Sequence, residues 1–462
     1  METKSKFVWP DRSKLSQGGV GIVKKLRAAG HEAYFAGGAV RDALLKRPIM
    51  EIDIATSATP AEVKKLFNKT IPTGEKHGTV TVRLQSVNYE VTTFRSEGPY
   101  LDLRRPSKVK FIESAEEDAR RRDFTINALF YDPESRQILD YAGGIGDIKA
   151  KKIEMVGDPE ERIAEDSLRM LRAVRFAATL RFELTHPTIK AIKKHAKKIA
   201  KISAERVKQE FDKIMSSDRA GVGIGILDVV GLLPHILPEV EAMKGVRQPR
   251  NQHAEGDVYT HSFLALEAVD KSYDLPTRYA VFFHDLGKPA TSKIRNNKIT
   301  FYDHTSVGAE MVKRLCKRLK FSGAEIEKIA WLVRYHLVPN DFVNMKLGTR
   351  RKWGLTPHFM DLLRVFRADV AASLRPSGKA DPNPRGYREG LEILKEIKMK
   401  PELGKPILSG TEVMKFLRIK EGPLVGKVLR ALEEKKLSGK IKTKDEAKKF
   451  LRNLLDKKLS TL

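Results

Sequence analysis

The sequence has little cysteine, little tryptophan and no long uninterrupted apolar run. Cys316 is the only cysteine among 462 residues, so an intramolecular disulfide is excluded and a reducing compartment is expected. The most apolar run, residues 221–238, is interrupted by Asp228, Gly231 and two prolines, and it is too short to cross a bilayer. The first residues lack the apolar stretch of a signal peptide. We therefore expect a soluble cytoplasmic protein without a membrane partner.

Acidic residues are also in deficit. The chain has 87 lysines and arginines against 59 aspartates and glutamates, which gives a formal net charge of +28. An excess of this size favours a polyanionic partner such as nucleic acid. The length and apolar content suffice for about three domains.

The most informative segment begins with a glycine pair. Gly37 and Gly38 predict a tight turn that opens a short helix carrying Arg41. Further on, Glu51 and Asp53 flank one isoleucine, and residues i and i+2 of a strand share a face, so both carboxylates can reach one metal ion. Backbone N–H groups at a helix start bind phosphate, and a carboxylate pair suits Mg²⁺. The segment predicts transfer of a nucleotide from a triphosphate.

The segments Gly37–Asp42 and Glu51–Pro60 together resemble the signature of class II tRNA nucleotidyltransferases, the family of CCA-adding enzymes and bacterial poly(A) polymerases. The resemblance implies Mg²⁺ in this region, ATP and CTP as substrates and tRNA as partner. The family normally has aspartate where this chain has Glu51. The extra methylene moves the carboxylate by about 1.5 Å, and a misplacement of about 1 Å can cost about 100-fold in rate. We expect Asp53 to be the main metal ligand and Glu51 an impaired or compensated one.

Nearby segments add to this resemblance. Alternating β-branched residues predict strands at Val80–Arg83 and Tyr89–Phe94, and Glu90 on the second is a candidate third catalytic carboxylate or a structural ion-pair partner. Lys76–Thr79 is similar to CCA-type members rather than to poly(A) polymerases. Arg95–Pro106 resembles the flexible loop retained in CCA-adding and A-adding enzymes.

The charged segment Glu117–Ala128 is predicted to be helical, and by itself it would be a solvated face with i,i+4 ion pairs. Within the family context it resembles the motif that contacts ribose and selects NTP over dNTP. The residues that match this motif are Asp118, Arg121, Arg122, Asp123 and Asn127.

The segment Arg162–Phe176 is predicted to form a helix with Asp166 and Arg169 on one face. A carboxylate that accepts beside a guanidinium that donates can hydrogen-bond the edge of a base. The pattern, which includes Arg172, resembles the amino-acid template that chooses CTP and ATP in this family. An ordinary helical ion pair is the alternative.

A second metal pattern lies further along the chain. Histidine and carboxylate ligands suit a transition metal or Mg²⁺, and the His284-Asp285 pair resembles the mark of HD-superfamily phosphohydrolases. The expected ligands are His261, His284, Asp285 and Asp369, and the pattern also includes His304 and His336. The resemblance implies a divalent metal and hydrolysis of 2′,3′-cyclic or monoester phosphates. A spacer that only binds RNA is the alternative.

The expected fold class is α+β, with a polymerase-β-like head of a small mixed sheet and helices, followed by all-α neck, HD and tail domains. The expected boundaries are 1–150 for the nucleotidyltransferase head, 151–245 for the helical neck with the base-recognition helix, 253–385 for the HD domain and 386–462 for a basic helical tRNA-binding tail.

The sequence thus predicts untemplated addition of CCA, or only of its terminal A, to tRNA 3′ ends. Three alternatives stay open: a poly(A) polymerase of the same family, an HD phosphohydrolase with an impaired head, and a catalytically inactive tRNA-binding protein.

Overall fold

The computed structural model describes residues 3–97, 109–251, 253–296, 298–381 and 383–456. The chain divides into two compact units, Met1–Pro238 and Glu239–Leu462. Most of the loop predicted at Arg95–Pro106 lies outside the described residues. Among the described helices, none has the length and apolar character needed to cross a membrane.

The strands belong mainly to the first unit. They are β1 (Thr3–Lys6), β2 (Ala33–Ala36), β3 (Asp53–Thr56), β4 (Thr70–Gly74), β5 (Thr79–Leu84), β6 (Val87–Thr93), β7 (Arg95–Glu97), β8 (Val109–Phe111), β9 (Leu129–Asp132), β10 (Gln137–Asp140), β11 (Lys152–Ile153), β12 (Glu183–Leu184), β13 (Lys293–Arg295) and β14 (Lys298–Thr300).

The helices continue through both units. In the first unit they are α1 (Lys14–Ala28), α2 (Gly38–Leu44), α3 (Pro60–Leu66), α4 (Ala115–Arg120), α5 (Gly144–Ala150), α6 (Pro159–Glu165), α7 (Leu168–Leu180), α8 (His186–His195), α9 (Ala204–Met215), α10 (Ala220–Val229) and α11 (Leu233–Ile236), and α12 (Pro238–Glu241) begins at the unit boundary. In the second unit they are α13 (Val258–Glu267), α14 (Leu275–Phe283), α15 (Lys288–Thr291), α16 (His304–Arg318), α17 (Gly323–Tyr335), α18 (Val338–Asp341), α19 (Leu347–Gly354), α20 (Phe359–Ala372), α21 (Arg385–Met399), α22 (Gly410–Leu417), α23 (Pro423–Leu437) and α24 (Lys444–Asp456).

One mixed sheet organises the head. Its strand order is β1-β10-β9-β2-β3-β6-β5-β4, and β3 and β6 are parallel neighbours. Because Ile54 pairs with Val91, the preceding residues Asp53 and Glu90 lie side by side on adjacent strands. The strands predicted around Val80 and Tyr89 are confirmed as β5 and β6.

Small residues let a helix pack closely against this sheet. Ala36 and Ala55 on the sheet and Ala119 on α4 are buried in one apolar cluster with Phe94 and Phe130. Alanine leaves room for the aromatic rings, which supply much of the apolar area that the cluster buries. The cluster fixes α4 and the residues that follow it beside the end of β3.

The helix predicted over Glu117–Ala128 is wrong in its extent. Helix α4 ends at Arg120, and Thr125–Asn127 form a separate short 3₁₀ turn. Between them Phe124 is extended, bridges to Met155 and is fully buried. Burial of this ring against another segment overrides the local helical preference, since tertiary context commonly outweighs propensity.

The single helix predicted over Arg162–Phe176 is also wrong. Helix α6 ends at Glu165, Asp166 is extended with φ −141° and ψ 103°, and α7 begins at Leu168. The Asp166 carboxylate accepts a hydrogen bond from the Leu168 backbone N–H at 3.0 Å. Short polar side chains offer the backbone this alternative to continuing a helix.

The second unit is helical apart from the small β13–β14 hairpin among its described residues. Its last three helices enclose an apolar core that includes Val413, Val428, Leu432 and Leu451. The α+β class with a sheet-containing head and largely helical remainder is therefore confirmed, with the β11–β12 pair and this hairpin as additions to the predicted all-α part.

Candidate functional sites

The first unit contains a cavity of about 770 Å³ that gathers nearly all of the predicted head residues. Its lining includes Gly37, Gly38, Arg41, Glu51, Asp53, Glu90, Arg121, Arg122, Asp123, Asn127, Asp166, Arg169 and Arg172. Asp118 does not line the cavity.

Three carboxylates stand at one side of this cavity. Asp53 is the first residue of β3 and is partly buried, whereas Glu51 just before the strand and Glu90 on β6 are exposed. Burial, together with the charges of Glu51 and Glu90, raises the pKa of Asp53 to about 6 against the opposing effect of Arg122. A bound cation would relieve this repulsion, and carboxylate oxygens are the ligands that Mg²⁺ prefers.

The carboxylate oxygens of the three head residues do not lie as close together as the ligand atoms of the clusters in the second unit. In the described parts of the chain, groups of three or more ligand residues with donor atoms within 4.8 Å of one another occur around His261 and His284 and not around Asp53. The donor set fits a hard cation, with Asp53 the most enclosed of the three.

The glycine pair allows the chain to turn beside the carboxylates. Gly37 has φ +67°, and a Cβ there would lie 3.1 Å from Nη1 of Arg122. Arg41 on α2 is oriented by its neighbour Asp42, with Nε–Oδ1 3.0 Å and Nη2–Oδ2 2.9 Å, and its Nη1 donates to Asn127 at 2.6 Å. The turn thus places a fixed guanidinium at the cavity wall.

Asp118 does not line the cavity but contacts two arginines that do. It is buried and accepts from Arg121 Nε at 2.8 Å and from Arg122 Nη2 at 3.0 Å. Burial raises its pKa, but the two guanidinium groups outweigh burial, so the pKa lies below its usual value. Asp118 therefore positions the two arginines that face the cavity.

Asp123 and Arg172 form a second fixed pair. Arg172 donates from Nε to Asp123 Oδ2 at 2.8 Å, and Asn127 donates to Asp123 Oδ1 at 3.2 Å. Although burial opposes it, the Arg172 charge lowers the pKa of Asp123 to about 2. This carboxylate stays ionised and holds both partners at the wall.

The predicted base-reading pair is arranged differently from expectation. The Asp166 carboxylate forms a two-pronged ion pair with Arg206 of α9, at 2.6 and 3.3 Å. The Arg169 guanidinium contacts Glu165 and donates to the Arg162 carbonyl at 2.9 Å. Asp166 and Arg169 both line the cavity. The end of α6 at Asp166 turns the Asp166 side chain toward α9.

Sequence reasoning missed the contribution of α9. Arg206 and Lys213 line the cavity, and the buried Glu210 between them accepts from Lys213 at 3.2 Å and pairs with Arg175 Nε at 2.6 Å. These three α9 residues follow the i, i+4, i+7 spacing of one helical face. That spacing is the sequence signal that could have identified α9 as part of the site.

The second unit gathers the predicted HD residues around Asp285. His261 lies on α13, His284 and Asp285 follow α14, His304 opens α16, His336 follows α17 and Asp369 lies on α20. His261 Nε2 is 3.2 Å from His284 Nε2 and 3.0 Å from Asp369 Oδ1. Asp285 lies 3.2 Å from His284 Nε2, 3.6 Å from His304 Nε2 and 3.9 Å from His336 Nε2.

Backbone carbonyl groups orient three of these rings. Nδ1 of His284, His304 and His336 lies 2.7–2.8 Å from the carbonyl of the residue three positions earlier. Nδ1 therefore carries the proton and Nε2 presents a lone pair to the centre, as in metal-binding histidines. A Cβ on Gly287 would lie 2.1 Å from the His304 carbonyl oxygen, so glycine is required for this approach.

The HD cluster fits a divalent metal. Both oxygens of Asp285 and Nε2 of His304 are buried without a hydrogen bond in the described structure, although Lys288 lies 2.6 Å from Asp285. Burial lowers the pKa of His336 to about 3, which leaves it neutral. Neutral imidazoles and ionised carboxylates are the forms that bind metals.

Comparisons with known proteins agree with this geometry. Residues 33–154 match the poly A polymerase head domain, residues 181–244 match a probable RNA- and SrmB-binding site of polymerase A, and residues 258–350 match the HD domain. A nucleotidyltransferase head and an HD domain are both generally metal-dependent. The three matches agree with the resemblance of the sequence to class II tRNA nucleotidyltransferases and bacterial poly(A) polymerases that carry an HD domain.

Individual known proteins are also similar to this chain in sequence. CCA-adding enzymes of Streptococcus pyogenes serotype M5 and Streptococcus gordonii are 48% and 47% identical over 206 and 236 residues, which cover 45% and 51% of this chain and 51% and 58% of the relatives. The chain thus spans about half the length of the curated relatives it matches.

A crystal structure of the Bacillus stearothermophilus CCA-adding enzyme in complex with CTP matches with TM-score 0.73 and 28% identity, over 97% of this chain and 100% of that one. The Thermotoga maritima CCA-adding enzyme, with TM-score 0.63 and 18% identity over 98% and 100% of the two chains, shares the fold.

Proposed function

We propose that the protein adds CCA, or its terminal A, to tRNA 3′ ends from CTP and ATP without a nucleic-acid template. The observation that carries the proposal is one cavity lined by carboxylates that suit Mg²⁺, by a set of arginines, and by Asp166 and Arg169. The CCA-adding relatives and the chain's net charge of +28 support tRNA as the acceptor. Cytoplasmic location is part of the same proposal.

The cavity arginines bind the triphosphate. Guanidinium groups pair with phosphate oxygens in forked geometry. Arg41 is oriented by the Asn127 amide, and Arg121 and Arg122 are oriented by the Asp118 carboxylate. Asp123 and Asn127 belong to the segment that resembles the family's ribose-contacting motif, so the proposal assigns them contact with the ribose, and it assigns Arg172 to base selection. The four domain boundaries expected from the sequence remain part of this proposal.

The chemical step joins tRNA to the nucleotide. The terminal 3′-hydroxyl attacks the α-phosphate, a new P–O bond forms and pyrophosphate leaves. Asp53 and Glu51, with Glu90 beside them, would hold Mg²⁺, which would supply activation of the hydroxyl and stabilisation of the leaving pyrophosphate. Arg169 donates and Asp166 accepts at the base edge, so the pair selects cytosine or adenine.

The test of this function is nucleotide choice. Purified protein with tRNA lacking CCA or tRNA ending in CC, and with the four labelled NTPs, should yield addition from CTP and ATP only, with ATP alone sufficient on the tRNA ending in CC. Incorporation of ATP alone, in long runs and on any RNA, would instead identify a poly(A) polymerase. No incorporation from any NTP would contradict the proposal.

A second activity is supported by the HD cluster. Six histidine and aspartate side chains converge with their Nε2 and carboxylate atoms inward. A divalent metal bound there supplies an activated water for phosphate ester hydrolysis. The proposed substrates are 2′,3′-cyclic or monoester phosphates, and release of phosphate by wild type but not by His284→Ala tests this activity.

A further inference from the structure

The HD cavity continues beyond its metal-binding residues. It has a volume of about 370 Å³, at the lower end of the range of ligand pockets. Part of its wall is apolar, with Leu337, Phe366 and Val370. The carboxamides of Asn251 and Asn340 also line it, and both residues are exposed. An apolar wall with carboxamide groups suits a nucleoside, and this volume suits one nucleotide rather than several.

Arg375 lies on the loop after α20 and also lines this cavity. Its backbone is fixed in a turn, with its N–H donating to the Lys379 carbonyl at 3.1 Å and its own carbonyl accepting from Gly378 at 2.8 Å. Across the described residues its exposed guanidinium has no hydrogen bond or ion pair. Asp381 is the nearby acidic residue of the lining, and its carboxylate accepts from the Asn383 N–H at 3.0 Å.

Glu255 ties this loop to the metal-binding cluster. Its Oε1 lies 2.8 Å from Nδ1 of His261 and 2.8 Å from Nδ1 of His253. Its Oε2 accepts from the Leu374 N–H at 2.8 Å, and the Ala254 N–H donates to the Leu374 carbonyl at 2.8 Å. One carboxylate therefore orients a metal-binding histidine and also fixes the residue directly before Arg375.

We propose that Arg375 forms a second phosphate subsite, so that the HD cavity takes a nucleotide with phosphate groups at both the 3′ and the 5′ positions of its ribose. The inference rests on the proposed phosphohydrolase function for the first phosphate, which lies toward the metal-binding residues. Lys288 does not serve the second phosphate, because its ammonium is already 2.6 Å from Asp285 and 2.7 Å from Gln248. A free nucleoside 3′,5′-bisphosphate and an RNA ending in a 3′-phosphate share this chemistry.

Hydrogen exchange read by mass spectrometry tests the subsite, because it reports residues 373–381 separately from the head cavity. The probes are adenosine 3′-phosphate, adenosine 3′,5′-bisphosphate and a short RNA with a 3′-phosphate, each with the divalent metal present and with labelling kept shorter than any detectable phosphate release. We expect the bisphosphate, the RNA or both to slow exchange in residues 373–381 at concentrations about tenfold or more below that of the monophosphate, as a charged hydrogen bond would give. Whichever of the two binds identifies the source of the ligand.

Arg375→Gln should remove this difference, Arg375→Lys should retain most of it, and Lys379→Gln on the same loop should leave it unchanged. Equal protection by all three probes, no protection, or protection unaffected by Arg375→Gln would overturn the subsite.

Phosphate release from the same compounds with added divalent metal is measured in parallel. Arg375-dependent protection without phosphate release would contradict the hydrolase and leave the subsite standing. Phosphate release without Arg375-dependent protection would support the hydrolase and overturn the subsite.

Discussion

The head cavity and the HD cavity hold their chemical groups by different means. In the head, the guanidinium groups of Arg121 and Arg122 are fixed by the buried Asp118, while Glu51 and Glu90 are exposed. In the HD domain, the rings of His284 and His336 are buried and fixed by backbone carbonyls. The HD geometry is therefore set by the backbone, whereas the head geometry depends on ion pairs between side chains.

The difference between the two cavities affects how each of them binds a metal ion. A buried, backbone-oriented ring of ligands suits a metal that stays bound, since second-shell contacts raise metal affinity. Exposed carboxylates with a raised Asp53 pKa suit a metal that arrives with the triphosphate, because phosphates complete the coordination of Mg²⁺.

Replacement of Asp53 should have the largest effect on nucleotide addition. Asp53→Ala removes the most enclosed of the three carboxylates and should lower addition about 1,000-fold or more, in line with loss of an essential electrostatic group. Incorporation of labelled ATP into tRNA measures it. The expected control is unchanged phosphate release at the HD site, and retention of full addition would contradict the metal-binding role.

Replacement of His284 should abolish phosphate release and largely preserve nucleotide addition, the reverse of the result expected for Asp53. His284→Ala removes one of the central ligands and should abolish metal-dependent phosphate release, while addition to tRNA changes less than about twofold. Metal content by elemental analysis should fall together with hydrolysis. A parallel loss of tRNA addition would show that the two regions are not independent.

Glu51→Asp should raise nucleotide addition. The shorter side chain restores the usual family residue, and correction of a displacement of about 1 Å can gain up to about 100-fold. Steady-state kinetics with Mg²⁺ measures kcat for wild type and variant, and Glu90→Asp is the matched control. An unchanged kcat would show that Glu51 does not limit the reaction.

Arg206→Ala should change base choice by about tenfold. Without its partner, the Asp166 carboxylate loses a charged hydrogen-bond pair that fixes its orientation. The ratio of kcat/KM for CTP and ATP to that for UTP and GTP measures discrimination. Arg181→Ala, which removes an exposed pair with Asp218, serves as control. Equal losses for all four nucleotides would assign Arg206 a purely structural role.

The raised pKa of Asp53 predicts a small pH-dependent effect on stability. The unfolded carboxyl loses its proton near pH 3.8 and the folded one near pH 6, so the folded state binds more protons in that interval and stability falls as pH rises through it. In metal-free protein, Asp53→Asn should therefore raise the free energy of unfolding by about 1–3 kcal/mol above pH 6. Urea unfolding at pH 4 and pH 8 tests this, and an equal change at both values would contradict it.

Local motifs predicted much of the head correctly, because strands and turns carry their own signals. The alternation around Val80 and Tyr89 gave two strands, and the spacing of Glu51 and Asp53 placed both at the cavity. The break at Phe124 was missed, because it depends on burial against Met155, a partner distant in sequence that one sequence does not record directly. The break at Asp166 was missed although its hydrogen bond with the Leu168 N–H is local, whereas the ion pair of Asp166 with Arg206 joins residues 40 positions apart.

The most direct measurement of the central claim compares three RNA substrates with CTP and ATP. These are tRNA lacking CCA, tRNA ending in CC, and an unrelated RNA of similar length, each with wild type and Asp53→Ala. The account predicts that wild type completes the CCA end of tRNA, that the unrelated RNA is not extended, and that Asp53→Ala extends none. Extension of tRNA ending in CC but not of tRNA lacking CCA would restrict the activity to addition of the terminal A. No extension of either tRNA by wild type would contradict the account.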